Sequence, residues 1–306
     1  MKAAVITGFG GPEVVAIADV PPASALQPHQ VALRIEAASA NPLDLKILAG
    51  YMQQVFPVTF PYVPGTDFSG VIVATGAEVA HLQPGMRVFG RCAPTAGGAF
   101  AQQLCIDAQH LCVMPAEMSF EQAASLASTY GTARQALFDS GKLARGQRVL
   151  IHAGAGGVGS MAVQLAHLAG AHVIATASAA NTALVMSLGA DEVVDYRTPA
   201  ISQVHDIDLV LDTIGGATLQ QSWPMVKAGG RIVTLVEFGI TPANGVHAEA
   251  VFFADAGPAL PEAVSQFQAG RLQIIIDSIF ALDDARAALE KLATGHARGK
   301  VVIRMQ

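Results

Sequence analysis

The chain has 306 residues, 52% hydrophobic and only 14% charged, with a net charge of −6. One or two domains with a large core are expected, and the acidic balance excludes the electrostatics that draw proteins to nucleic acid or to an anionic membrane surface. Three cysteines, Cys92, Cys105 and Cys112, form no C-x-x-C pair, and the first residues lack a long apolar stretch of signal-peptide type; both predict a cytoplasmic chain with reduced thiols.

Residues 1–118 read as β-rich. Segments 3–7 and 14–20 predict a strand pair, and 31–37 alternates apolar and polar residues with strand period. Segments 68–74, 87–90, 100–106 and 111–114 predict further short strands between prolines and glycines, a pattern of small barrels and sandwiches. The period changes at Ser119, where Ser119 and Gln122 have capping-box spacing. Helices are expected over 123–126 and over 131–140.

The most informative stretch is 148–177. A short apolar run (149–152) meets a turn containing Gly154, Ala155, Gly156, Gly157, Val158 and Gly159. A helical pattern (158–168) and a second strand (173–176) follow. A G-x-G-x-x-G turn inside a βαβ unit presents backbone N–H groups and a helix N-terminus to a pyrophosphate, so a dinucleotide is expected there. No charged residue lies between Arg148 and Asp191. Glycines and His152, Gln164, His167 and His172 nevertheless break the run, and strands buried on both faces read this way, so no membrane span is expected. Alternating units continue: helix 180–188 ended by Gly189, strand 192–195, strand 209–213, helix 217–226 and strand 230–236. They predict a doubly wound parallel sheet. In the tail, strand 248–254, helices 258–269 and 283–292, and a closing strand 299–305 are expected, the last free to join either sheet.

An NAD site uses an Asp or Glu about 20 residues past the glycines to accept from the ribose diol. Residues 174–181 carry no carboxylate. That absence favours NADPH, with Ser178, Asn181 and Tyr196 as hydrogen-bond donors, although no Arg or Lys lies on the loop. There is no H-E-x-x-H, G-x-S-x-G or C-x-x-C motif, and 295–300 is too short for a P-loop. A lone histidine such as His152 reads as structural.

Several segments together resemble the zinc-independent quinone oxidoreductase group of the medium-chain dehydrogenase/reductase superfamily. They are Ala40-Asn-Pro-Leu-Asp44, Pro64-Gly-Thr-Asp-Phe-Ser-Gly70, Leu82-Gln-Pro-Gly-Met-Arg-Val88, Ala153-Gly-Ala-Gly-Gly-Val-Gly159, Leu188-Gly-Ala-Asp-Glu-Val193, Asp208-Leu-Val-Leu-Asp212 and Gly295-His-Ala-Arg-Gly-Lys-Val-Val302. The resemblance implies an α/β protein. Its β-rich GroES-like barrel (1–118) takes back the C-terminal segment (256–306), and a Rossmann domain spans 119–255. Zinc alcohol dehydrogenases of the superfamily carry Cys at Ala40 or Asn41 and Gly-His-Glu at 65–67, where this chain has Gly65-Thr66-Asp67, so no metal is expected.

The implied cofactor is NADP(H), and the implied reaction is hydride transfer to a small quinone or α,β-unsaturated carbonyl. Asn41 is expected beside nicotinamide and substrate, Thr132 at the cofactor, and Tyr51 at the substrate rim. Leu235 and Val236, with Phe252, are expected to line the nicotinamide pocket. Many relatives have Tyr where this chain has Lys46, and a basic residue where it has Ala180. Strand 248–254 pairs across a homodimer in relatives. Two other readings stand beside this one: an enoyl-thioester reductase using Tyr51 or Tyr62 as proton donor, and a low-activity NADPH-binding sensor.

Overall fold

The computed structural model describes residues 1–22, 26–253 and 255–305. These form two compact units, one of 1–128, 255–268 and 274–305, the other of 129–253 and 269–273.

The first unit is built on antiparallel strands. β1 (Lys2–Val5) pairs with β2 (Ala16–Asp19). β3 (Gln30–Ala40) pairs with both β4 (Asp67–Thr75) and β6 (Gln103–Asp107), and β4 continues to β5 (Arg87–Arg91) and β7 (Leu111–Val113). Along β3 the predicted alternation holds as far as Glu36: Val31, Leu33 and Ile35 are buried and Arg34 is exposed. From Ala37 to Ala40 every residue is buried, so the strand enters the interior as it approaches Asn41. α1 (Pro42–Leu48) starts at once, with Pro42 in the first turn, where its missing N–H costs nothing. The core packs Leu33, Ile35, Phe68, Ile72, Val88 and Phe100.

α2 (Phe120–Arg134) opens with the expected box: the Ser119 N–H donates to Gln122 Oε1 at 2.9 Å, and the Gln122 N–H donates to Ser119 Oγ at 3.2 Å. It runs on as a π-helical turn to Ser140, so the two helices expected here are one. Gly131 does not end it. A Cβ at that position would lie 1.9 Å from the Phe253 ring, so the glycine serves close packing. The division between units falls inside this helix, at 128/129 rather than at 118/119.

The second unit is a six-stranded, wholly parallel sheet. In chain order its elements are β8 (Arg148–Ile151), α3 (Gly157–Leu168), β9 (His172–Ala177), α4 (Thr182–Ser187), β10 (Glu192–Asp195), β11 (Ile207–Asp212), α5 (Gly216–Ser222), β12 (Val226–Thr234) and β13 (His247–Ala250). The strand order is β10-β9-β8-β11-β12-β13. The order reverses between β8 and β11, the switch point at which doubly wound sheets bind ligands. β13 covers four residues, not the seven expected: its partner β12 ends at Thr234, opposite Ala250. Ala254, the end of the expected strand, lies outside the described residues.

The tail holds α6 (Leu260–Gln268), β14 (Ile276–Ala281), α7 (Ala285–Ala293) and β15 (Lys300–Arg304). β14 was not foreseen; it pairs in parallel with β15. β15 in turn pairs antiparallel with β3, with Val301 opposite Ala40, which assigns the closing strand to the first unit. No helix among the described residues is long and apolar enough to cross a membrane.

Candidate active site

In the second unit, most of the predicted cofactor residues collect at the carboxyl ends of the parallel strands. The glycine turn follows β8 and is tied to β9: the Ala153 N–H donates to Thr176 Oγ1 (3.1 Å) and the Gly154 N–H to the Thr176 carbonyl (2.8 Å). These bonds hold Ala153 at φ +52, a left-handed conformation that costs energy for a residue with a Cβ.

Behind the turn lies buried His152. Ser222 Oγ donates to the Thr218 carbonyl (2.8 Å), so it accepts from His152 Nε2 (2.8 Å); Nδ1 then accepts from Thr176 Oγ1 (3.2 Å). Both ring nitrogens are satisfied with the imidazole neutral. Burial pushes its pKa down to about 4, against the opposing charge of Asp212.

The glycines have different physical reasons. A Cβ on Gly159 would lie 2.1 Å from the Ala153 carbonyl, and one on Gly154 would lie 2.9 Å from Ala175 Cβ; both glycines are required by packing. A Cβ on Gly156 would meet only the Ala153 carbonyl, at 3.3 Å. Its backbone, just before the first residue of α3, is therefore left uncrowded at a helix N-terminus. Ala155 is buried and Val158 half-buried within the same turn.

Ser178 and Asn181, both half-buried, follow β9; Tyr196, about half exposed, follows β10. The β9–β10 register sets Ala177 opposite Asp195, so these residues stand at neighbouring strand ends. Two residues there were missed by reading the β9 loop alone. Asp195 Oδ2 accepts from the Ala179 N–H (3.2 Å), and Arg197 Nε donates to Asp195 Oδ1 (3.2 Å). The Arg197 guanidinium lies 5.6 Å from the Tyr196 ring centre. The Arg197 backbone N–H and then its side chain hold the Asp195 carboxyl below its usual range. A basic side chain, absent at Ala180, thus stands at the end of the adjacent strand, in the run Asp195-Tyr196-Arg197.

Leu235 and Val236, half-buried, follow β12. Buried Asp212 sets their position. Its Oδ1 accepts from the N–H groups of Ile214 and Gly215, its Oδ2 accepts from Thr234 Oγ1 (2.7 Å), and Thr234 Oγ1 accepts from the Val236 N–H (3.2 Å). Thr132 is half-buried on α2.

The first unit holds a charged centre around Asn41. The Asn41 N–H donates to Asp44 Oδ2 (2.7 Å). The side chain is held at both ends: Oδ1 accepts from Lys300 Nζ (2.5 Å), and Nδ2 donates to Asp67 Oδ2 (3.0 Å) and, at a long 3.4 Å, to Thr66 Oγ1. Lys300 Nζ also donates to the Ala40 carbonyl (2.9 Å) and lies 3.6 Å from Asp67 Oδ2. Asp67 Oδ1 accepts from Ser128 Oγ (2.6 Å), which accepts from Arg91 Nε (3.0 Å). Asp44, Asp67, Arg91 and Lys300 are all buried. Burial lowers the Lys300 pKa, opposed by Asp67 and Asp44. Burial pushes the Asp44 carboxyl up to about 7, and its Oδ1 has no partner.

Tyr51, three residues past α1, is 82% exposed, as suits a rim residue. Lys46 is half-buried on α1. Tyr62 is not available as a proton donor. It is 4% exposed, its hydroxyl donates to the Pro94 carbonyl (2.8 Å), and burial raises its pKa well above the usual phenol value.

Comparison with known proteins shows the family. Residues 27–116 match the family model described as alcohol dehydrogenase GroES-like domain, and residues 188–303 match that of zinc-binding dehydrogenase. A quinone-oxidoreductase homolog from the chloroplast of Spinacia oleracea is 33% identical over 90% of this chain and 89% of its own. The mitochondrial NAD(P)H oxidoreductase RTN4IP1 of Danio rerio is 30% identical over 90% and 84%. The solved quinone oxidoreductase of Coxiella burnetii is 32% identical and superposes with a TM-score of 0.93 over 100% of this chain and 99% of that one. The chain belongs to the quinone oxidoreductase group of the medium-chain dehydrogenase/reductase superfamily, with a GroES-like and a Rossmann domain.

The second family model's description raises the question of zinc. Zinc sites in proteins use mainly thiolate and imidazole ligands. At this centre stand the Asn41 amide, the Thr66 hydroxyl and the Asp44 and Asp67 carboxylates, and an ammonium already lies against Asp67. Among the described residues, no group of three or more His, Cys, Asp or Glu side chains could hold a metal ion. This donor set does not fit zinc.

Proposed function

We propose that this protein is an NADPH-dependent reductase that passes hydride to a quinone or α,β-unsaturated carbonyl without a metal. The observation that carries this reading is the Asn41 amide. Its orientation is locked by Lys300 on oxygen and Asp67 on nitrogen, and its second N–H is held only by the 3.4 Å contact to Thr66. An amide nitrogen has two hydrogens to donate. The loosely held one can turn to an acceptor oxygen as negative charge develops there, which is where an oriented donor stabilises a transition state most. Quinones and enones delocalise that charge through conjugation, so one donor suffices.

When bound, the reduced nicotinamide supplies the hydride. The bare Gly156 backbone and the N-terminus of α3 hold the pyrophosphate. Ser178, Asn181, Tyr196 and Arg197 take the 2′-phosphate, with Arg197 exchanging its contact to Asp195 for the phosphate. Leu235, Val236 and Thr132 line the nicotinamide end, and Tyr51 the substrate rim. The relatives' names, quinone oxidoreductase and NAD(P)H oxidoreductase, support both cofactor and acceptor class. Burial of Tyr62 removes one of the two proton donors that the enoyl-thioester reading relied on. The open edge of β13 is the surface we assign to a second copy of the chain in a homodimer.

Parallel NADPH and NADH oxidation assays against small quinones, polycyclic quinones and enones test the proposal. Turnover with NADPH and at least one of these classes is expected. NADPH binding without turnover of any acceptor would identify a sensor instead, and no binding of either nucleotide would end the proposal.

A further inference from the structure

Among the described residues, Lys300 is the one buried lysine. All three of its N–H directions are taken within the first unit. Two donate to the Ala40 carbonyl and Asn41 Oδ1, and the third faces Asp67 Oδ2 at 3.6 Å. Such full engagement is what a buried ammonium requires. A salt bridge to Asp67 would have been enough to neutralise the charge. Instead, the ammonium's shortest contact, 2.5 Å, is to the amide oxygen of Asn41.

That contact has a chemical consequence. A cation on the oxygen of an amide draws electron density through the O–C–N system and makes the N–H groups stronger donors; hydrogen bonds in series polarise one another. The effect is largest where water does not screen it, and Lys300 is 5% exposed. Asp67 completes the orientation by accepting one Nδ2 hydrogen, leaving the other for an acceptor.

We infer that Lys300 is a positioning residue of this reductase: held by β15 against the end of β3, its ammonium orients and polarises the Asn41 amide so that the amide N–H stabilises the oxyanion formed on the acceptor. The inference rests on the proposed role of Asn41. It assigns a part in the chemistry to the closing strand, whose lysine lies 259 positions from Asn41 in the chain.

The test is a double-mutant cycle of Asn41→Ala, Lys300→Met and the pair, read as kcat and KM with NADPH for one quinone and one simple enone. NADPH affinity is followed separately by nucleotide fluorescence. The enone stabilises incoming charge less well than the quinone, so it depends more on the donor. Lys300→Met is expected to lower kcat at least tenfold further for the enone than for the quinone, with NADPH affinity within twofold of the parent. In the Asn41→Ala background it is expected to add less than twofold. A merely structural lysine would lower both acceptors equally. That result, additive losses in the double variant, or an unchanged kcat in Lys300→Met, would overturn the inference. If Lys300→Met does not fold, Asp67→Asn/Lys300→Met removes both charges together and is held to the same enone-to-quinone ratio. If Asn41→Ala itself turns over both acceptors at the parent rate, the reading of Asn41 fails first, and that outcome is distinct from a failure confined to Lys300.

Discussion

The two units bury polar centres of opposite character. In the first, two carboxylates and two cations, Asp44, Asp67, Arg91 and Lys300, surround a single amide. In the second, a neutral imidazole, three hydroxyls and one carboxylate, His152, Thr176, Ser222, Thr234 and Asp212, bind mainly backbone groups and one another. The difference reflects the task. Holding a backbone turn in shape needs directional hydrogen bonds but no field, and neutral groups make them at lower desolvation cost. Preparing a donor for developing charge needs a field, and only buried charges provide a strong one. On the proposed function, the second centre shapes a cradle and the first tunes a reagent.

The largest expected effect is on the cradle. Gly159→Ala forces a Cβ to 2.1 Å from the Ala153 carbonyl, backbone against side chain with nothing flexible to yield. NADPH binding should fall by roughly a hundredfold or more and the melting temperature should drop with it, as expected for overpacking of about 1–3 kcal/mol in a rigid turn. Gly156→Ala separates packing from binding: its Cβ meets only one atom, at 3.3 Å. The melting temperature should stay near that of the parent while NADPH fluorescence titration shows weakened binding. If both variants behave alike, Gly156 does not face the nucleotide.

Next comes the reagent. Asn41→Ala should lower kcat by about 10²-fold, the usual loss for removing one oriented oxyanion donor, with NADPH affinity unchanged. A change in nucleotide affinity of similar size would merge the two centres' roles and break the contrast.

Arg197→Ala should weaken NADPH about tenfold, the size of one lost charge-assisted hydrogen bond, and leave NADH unaffected. Competitive titration of the two nucleotides measures it. Equal loss for both would move Arg197 away from the 2′-phosphate.

This residue also shows how far the site was legible in the sequence. The glycine turn, Ser178, Asn181 and Tyr196 stand out because βαβ units place their ligand-facing residues at fixed points near the motif. Arg197 is held by Asp195 at the end of the next strand, which the register sets opposite Ala177. A search restricted to the β9 loop passes over it. The predicted pair of helices at 123–140 failed for a similar reason. Gly131 reads locally as a helix breaker, whereas its packing against Phe253 leaves no room for a side chain there.

The smallest effects are on stability against pH, and there the two centres should slope in opposite directions. The folded protein holds His152 neutral, with its pKa down to about 4 from an unfolded value of 6.5. Between those limits the unfolded chain takes a proton that the folded one refuses, so stability falls as pH drops from 6.5 towards 4. Asp44 is raised from 3.8 to about 7. Its contribution is fully present below 3.8 and is lost as pH rises through 7. Melting temperatures of His152→Gln and Asp44→Asn from pH 4 to pH 8 measure both slopes. The first variant should flatten the acid side and the second the neutral side, each by a few degrees. Parallel curves for parent and variants would place the titrations elsewhere.

By itself, the sequence determined the parallel αβ unit, its glycine turn and the capping box of α2, because period, glycine spacing and cap chemistry act over a few residues. It also determined the β-rich character of the first part, and the family. Only the tertiary structure decided what those elements bring together. The register of β15 on β3 sets Lys300 under Asn41, the register of β10 on β9 sets Asp195, which holds Arg197, at the end of β9, and burial on both sides of β3 turns four ordinary charges into one coupled centre. Strand pairing joins residues hundreds of positions apart, and the strength of a charge depends on how much water is excluded from it; neither is written in the spacing of neighbouring residues.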